Sequence, residues 1–159
     1  MARRPMKPAT PGLDLAFTIE AEIDAPLSAG TSPDGERLHI PITGGRVVGP
    51  RLTGRVLPGG SDWPVIAPDG TSRIEARYTI EAEDGTPIYV VNKGLRVSSD
   101  DVRTRLRSGE TVEPSEFYMR AAPVFDAPSG PHRWLTERLF ICSLAPMGRT
   151  IRIDVYIVT

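Results

Sequence analysis

The chain has 159 residues, 19 basic and 20 acidic side chains, and a formal net charge of -1. That length points to one domain able to bury a core without disulfide staples, and the interspersed charges leave no basic field for a nucleic-acid partner. The single cysteine, Cys142, has no partner for an intrachain disulfide, and His39 and His132 lack a metal-ligand spacing, so neither a metal nor another cofactor is expected.

Residues 1–11 (MARRPMKPATP) are basic and proline-rich without the apolar stretch of a secretory signal. They read as a flexible tail ahead of a single domain over 12–159. No apolar run approaches membrane-spanning length, so no membrane partner is expected and a cytoplasmic location is the default. From Leu13 to Asp24, Leu13, Leu15, Phe17, Ile19, Ala21 and Ile23 alternate with mostly polar residues, the period-two pattern of a half-buried strand. Ala25-Pro26 ends it, Ser32-Pro33-Asp34-Gly35 marks a turn, and Arg37–Ile42 predicts a short strand.

Glycines then recur at 44, 49, 54 and 59. A phosphate-binding loop needs Lys-Ser/Thr after its second glycine, followed by a helix. Pro50 stands at the lysine position after Gly49, and Arg55-Val56 follows Gly54. The intervening β-formers (Arg46–Val48, Leu52–Leu57) instead predict strands that the glycines bend, by a bulge or a sharp coil. The bent chain delivers Ser61-Asp62-Trp63 to a corner.

Arg73–Glu81 alternates again, Glu83-Asp84-Gly85-Thr86 is a hairpin turn, and Pro87–Arg96 returns with Ile88, Val90, Asn92, Gly94 and Arg96 on one face. Residues 100–114 (DDVRTRLRSGETVEP) predict a short surface helix or loop. Ser99 or Asp100 would cap it, Gly109 would stop it, and Val102 and Leu106 form a thin i,i+4 stripe. Arg103, Arg105 and Arg107 read as a solvated face, with anion binding as the lesser alternative. Glu116–Ala122, Arg133–Leu144 and Arg149–Thr159 predict the last strands, with a loop over Phe125–Pro131. Strands joined by Gly/Pro turns and almost no helix predict an all-β fold, a single antiparallel up-and-down barrel with one short helix or loop near 100–113. Closure would remove exposed edges.

The run from Gly44 to Trp63 (GGRVVGPRLTGRVLPGGSDW), then Glu75-Ala76-Arg77-Tyr78, then Asp84-Gly85 leading to Ile88-Tyr89-Val90 and Asn92-Lys93-Gly94, resembles the uncharacterised family called domain of unknown function three-two-three-seven. Phe117-Tyr118-Met119-Arg120, Pro123, Phe125, Trp134-Leu135 and Val155-Tyr156 extend the likeness over nearly the whole chain from Leu13. One departure is Asp126, where the family pattern more often has glutamate. The resemblance implies a small lipocalin-like (calycin-type) β-barrel and no agreed activity.

A barrel of this size holds one small ligand in its mouth. Asp62 beside Trp63 reads either as a turn residue with a core aromatic or as a catalytic acid or base against an aromatic wall. Arg77, Arg96 or Arg120 would stabilise developing negative charge, with Arg120 in a catalytic role. Trp63, Arg77, Asn92, Arg96 and Trp134 are the expected substrate-binding residues, on the view that all seven line one pocket. The alternatives are a surface ion pair of Arg77 with Glu75, a hydrogen-bonded strand end at Asn92 and Arg96, an interior salt bridge of Arg120 to Asp62, Glu75 or Asp126, and a packing anchor at Trp134. Gly94 would leave room for a bulky group. Two classes of function remain open. One is a small-molecule-binding barrel doing cofactor-free proton-transfer chemistry (isomerisation, cyclisation, hydration or elimination) on an aromatic or carbonyl compound, the ligand being aromatic or anionic. The other is a non-catalytic ligand-binding or structural barrel. Leu139, Ile141 and Val158 exceed what one small barrel hides, so a homodimer or larger assembly is expected.

Overall fold

The computed structural model describes Met1 and residues 3–159. The alternation read from the sequence becomes a sheet of β1 (Leu13–Ile23), β2 (Leu27–Ser32), β3 (Gly35–Val48), β4 (Gly54–Val56), β5 (Gly60–Asp62), β6 (Val65–Ile66), β7 (Ser72–Ala82), β8 (Pro87–Val97), β9 (Tyr118–Asp126), β10 (Phe140–Met147) and β11 (Thr150–Val158). One α-helix, α1 (Asp100–Arg107), lies between β8 and β9. Every pairing is antiparallel. β1 pairs β11 on one side and β3 on the other, while β4, β5 and β6 follow one another in the single place between β3 and β7. The sheet therefore closes into an eight-stranded up-and-down barrel, and β2 is an extra arm hydrogen-bonded to β3 alone.

Two irregularities decide which residues face inward. In β1 the register shifts between Leu15 and Phe17. Phe17, Ile19 and Ala21 are buried, whereas Leu13 and Leu15 are exposed, so the expected single alternating face is broken by a bulge. In β3 the shift falls between Ile42 and Gly44. Ile42 and Val47 are both buried although an even and an odd position, because the extra residue, Thr43, exchanges the faces between them. Gly45 has φ +144°, and a Cβ there would run into the Glu20 carbonyl, so the bend and the close strand approach both need glycine. The glycines do bend the sheet, but within one long strand from Gly35 to Val48, not between two short ones.

The lower half of the barrel is dry. Ile80, Ile88, Val90 and Val155 are fully buried, and Phe125 packs edge-on against Phe17 (5.7 Å between centroids) and Phe140 (5.0 Å). A 3-10 turn over Arg133–Thr136 caps this end with the buried Leu135 and the half-buried Trp134. The sequence-predicted strand over 133–144 thus begins only at Phe140, while β9 runs on through Phe125 and Asp126, where a loop was expected. The short polar arm Leu27–Ser32, unpredicted as a strand, is exposed throughout.

Candidate functional site

The opposite end of the barrel is open. A cleft of about 460 Å³ is bounded by Ile23, Leu38, Ile40, Ile74, Met119 and Ile151, with Asp62, Ser72 and Arg96 among them. It continues downward into a small apolar space, about 40 Å³, that also touches Asp62 and Asn92. Helix α1 crosses the mouth. Ser99 caps it by accepting a hydrogen bond from the Val102 amide at 3.2 Å, Val102 is buried, and Leu106 reaches the cleft. The Arg107 guanidinium ties the helix to the β2–β3 hairpin through Glu36 at 2.8 Å.

Asp62 enters the lumen because β5 places it opposite Ile40 of β3 and Ala76 of β7. Its Oδ1 accepts the Glu75 amide at 3.1 Å. Burial among isoleucines pushes the carboxyl up to about 6, against the opposing pull of the Glu75 and Trp63 amides and the Arg96 charge. Arg96 faces the same space from the end of β8, opposite Ser72. Burial, and the like charge of Arg103 on α1, make its guanidinium easier to deprotonate than usual, while Asp62 works the other way. Arg96 Nε, Ser98 Oγ and Arg103 Nη1 are buried with no hydrogen-bond partner among the described residues. Asn92 is fully buried lower in the lumen, its Nδ2 donating to Cys142 Sγ at 3.5 Å. Burial drives the Cys142 thiol up to about 11, so it stays protonated.

The seven residues expected in one pocket are not all together. Asp62, Asn92 and Arg96 share the lumen. Trp63 follows Asp62 and therefore points to the other side of the sheet, where it stacks on His39 at 5.6 Å. His39 Nε2 in turn lies 2.7 Å from Ser61 Oγ. Arg77 is outside too, because Ala76 and Tyr78 take the inward positions; it bonds Glu75 (3.1 Å) and the Tyr89 hydroxyl (3.3 Å). Arg120 lies between the buried Met119 and Ala121 and so projects outward, its guanidinium 5.3 Å from the Tyr118 ring. Trp134 sits at the capped end under Arg51, whose guanidinium is 4.2 Å from its ring. Gly94 faces inward but opens no space: a Cβ there would meet the Arg120 carbonyl and Ala121, so it serves the close packing of β9.

Leu106 was missed as a site residue, and Arg103 was read mainly as solvated, with anion binding only the lesser alternative. The Val102/Leu106 stripe carried the signal, since a helix with even a thin apolar stripe must lay it on something. The arginines beside it are not a uniformly solvated face: the side chains of Arg103 and Arg105 are only 25% and 28% exposed, against 58% for Arg107.

Residues 11–158 match the model of the family described as Protein of unknown function (DUF3237). The chain belongs to this family. A UPF0311 protein of Bradyrhizobium diazoefficiens is 40% identical over 149 residues, covering 92% of this chain and 97% of that one. The solved structure of a conserved protein of unknown function from Rhodopseudomonas palustris superposes with a TM-score of 0.89 at 38% identity, covering 97% and 100% of the two chains. An enzyme from Penicillium herquei has the same fold, with a TM-score of 0.71 at 21% identity over 98% and 100% of the chains. Among the described residues, no helix is long and apolar enough to cross a membrane.

Proposed function

We propose that this DUF3237 barrel binds a small aromatic or carbonyl compound in its open mouth and carries out proton-transfer chemistry on it without a cofactor, with Asp62 as the acid or base. Isomerisation, cyclisation, hydration and elimination all fit a single carboxyl of this kind. The observation that carries the reading is the setting of Asp62: a carboxyl at the meeting point of the cleft and the apolar space below it, its proton affinity raised by burial to about 6. A group titrating near the working pH both takes and returns a proton readily. Arg96 supplies a cation to the same space, where an enolate or phenolate oxygen would gain charge. Of the three arginines considered for that role, it alone lines the cleft.

The packed lower lumen favours the alternative of a non-catalytic barrel for that half of the molecule. The open upper half, holding a carboxyl and a guanidinium among isoleucines, favours chemistry. A test that needs no known substrate is deuterium incorporation into a pool of small ketones, enones and phenols in D2O, followed by NMR. Wild-type protein should accelerate exchange at carbons next to a carbonyl in some pool members, and Asp62→Asn should slow it by about a hundredfold. Exchange no faster than in buffer, or equal exchange with Asp62→Asn, would overturn the reading.

A further inference from the structure

Two guanidiniums line the cleft beside Asp62: Arg96 from the end of β8 and Arg103 from α1. The charge of Arg103 acts on Arg96. Among the described residues, Asp62 is the carboxyl that acts on Arg96, and it is held with a high proton affinity. Of the other carboxylates around the mouth, Glu36 pairs Arg107 at 2.8 Å, Asp24 pairs Arg149 at 3.1 Å, and Asp69, which accepts the Thr71 amide at 2.8 Å, feels the charges of Arg73 and Arg103. Arg103 gives one Nη to the exposed Asp100 at 2.6 Å, while its other Nη is enclosed over Gly70 without an acceptor. Two guanidiniums lining one cleft, each with a buried nitrogen that has no partner among the described residues, are costly to maintain in a folded chain. A planar anion between them would offset the repulsion by accepting from the guanidinium N–H groups that face the cleft.

We propose that Arg96 and Arg103 hold the carboxylate of the ligand, so that the compound taken up at the mouth is a small organic acid with an apolar body. The apolar body would lie along Ile23, Ile40, Ile74, Met119 and Ile151, with the carbon next to the carboxylate facing Asp62, so that Arg96 would serve both the bound carboxylate and the charge that develops on it. This rests on the reading of the cleft as a small-molecule site, and narrows it to one class. Because α1 carries Arg103, the carboxylate also bridges the helix to the barrel wall.

Fluorine NMR with matched probes separates the two claims. Three acid and amide pairs of rising size are suitable: 3,3,3-trifluoropropionate, 4-fluorobenzoate and 4-fluorocinnamate, each against its primary amide. At least one acid should bind about tenfold or more tightly than its amide, the scale of a charge-assisted hydrogen bond. Arg103→Gln and Arg96→Gln should each abolish most of that preference. Asp62→Asn, which removes a nearby negative charge, should keep it and tighten acid binding above pH 6. Since Arg96→Gln alters a half-buried wall, Arg103→Gln on the helix and the acid–amide comparison in wild type stand without it. Equal binding of acids and amides overturns the carboxylate proposal and leaves the cleft as a ligand site. An acid preference that survives both arginine variants also overturns it, placing the anion elsewhere. Failure of every probe to bind overturns both claims.

Discussion

Asp62 is a carboxyl whose position works against its own ionisation. Its folded value of about 6 lies above that of a free aspartate, so between those values the folded chain holds a proton that the unfolded chain releases. Stability from this residue is therefore greatest at acid pH and declines as pH rises through about 6. Asp62→Asn keeps an oxygen to accept the Glu75 amide and removes the charge. It should stabilise the protein at pH 8 by about 1–2 kcal/mol, after allowing for the partial exposure of the carboxyl, and by nothing below pH 4. Parallel urea titrations of the two proteins at both pH values check this; a variant less stable at pH 8 would show the carboxylate to be a structural anchor. Cys142 offers a contrasting case. Buried, bonded to Asn92 and with its thiol raised to about 11, it should resist a thiol reagent such as Ellman's until the protein unfolds. Rapid labelling of native protein at pH 8 would mean that the lumen admits more than the cleft described above.

At the scale of elements, glycines do two different jobs. Gly45 lets β3 take a positive φ close against the Glu20 carbonyl of β1, and Gly94 lets β9 lie close against β8. Gly94→Ala should cost about 2–3 kcal/mol, because the backbone carbonyl of Arg120 cannot yield as a flexible side chain would. Thermal denaturation reads the loss, and an unchanged midpoint would mean the two strands slide apart freely. Helix α1 depends on its cap, so Ser99→Ala should weaken it by about 1 kcal/mol, visible as faster amide exchange confined to residues 100–109. Strand positions were legible because alternation in Arg73–Glu81 and Pro87–Arg96 states both the element and its buried face. Arg77 shows the limit of using it: the same alternation that buries Tyr78 and Ala76 puts Arg77 outside, so its assignment to a pocket contradicted its own strand. Trp63 and Arg120 fell to the same geometric rule. Leu13 and Leu15 were misread for a different reason, since a bulge at Ala16 depends on pairing with β11 and leaves no mark in the sequence. Trp134 needed the path of the chain between β9 and β10, which turn residues alone do not specify.

Seen whole, the barrel has an apolar outer side. Leu13 pairs Val158, Leu15 pairs Tyr156, and Tyr156 pairs Ile141, with Leu139 beside Val158 and Val124 opposite Val91. Leu139 and Val124 are 76% and 66% exposed, high values for residues that share one face of neighbouring strands. A continuous patch of this kind on a small protein is commonly covered by a partner. A homodimer through this face is the expected state, and light scattering at rising concentration measures it. Leu139→Glu with Val124→Lys should shift the mass to a monomer without unfolding the barrel; a wild-type protein that is monomeric at high concentration excludes the assembly. The capped lower end has a separate consequence, for turnover. Leu135, Phe17, Phe125 and Phe140 close that end, so among the described residues the opening of the cavity lies at the mouth beneath α1. Under the proton-transfer reading proposed above, a product would have to leave by the route the next substrate needs, as in a corridor with one door, and would compete with that substrate for the cleft.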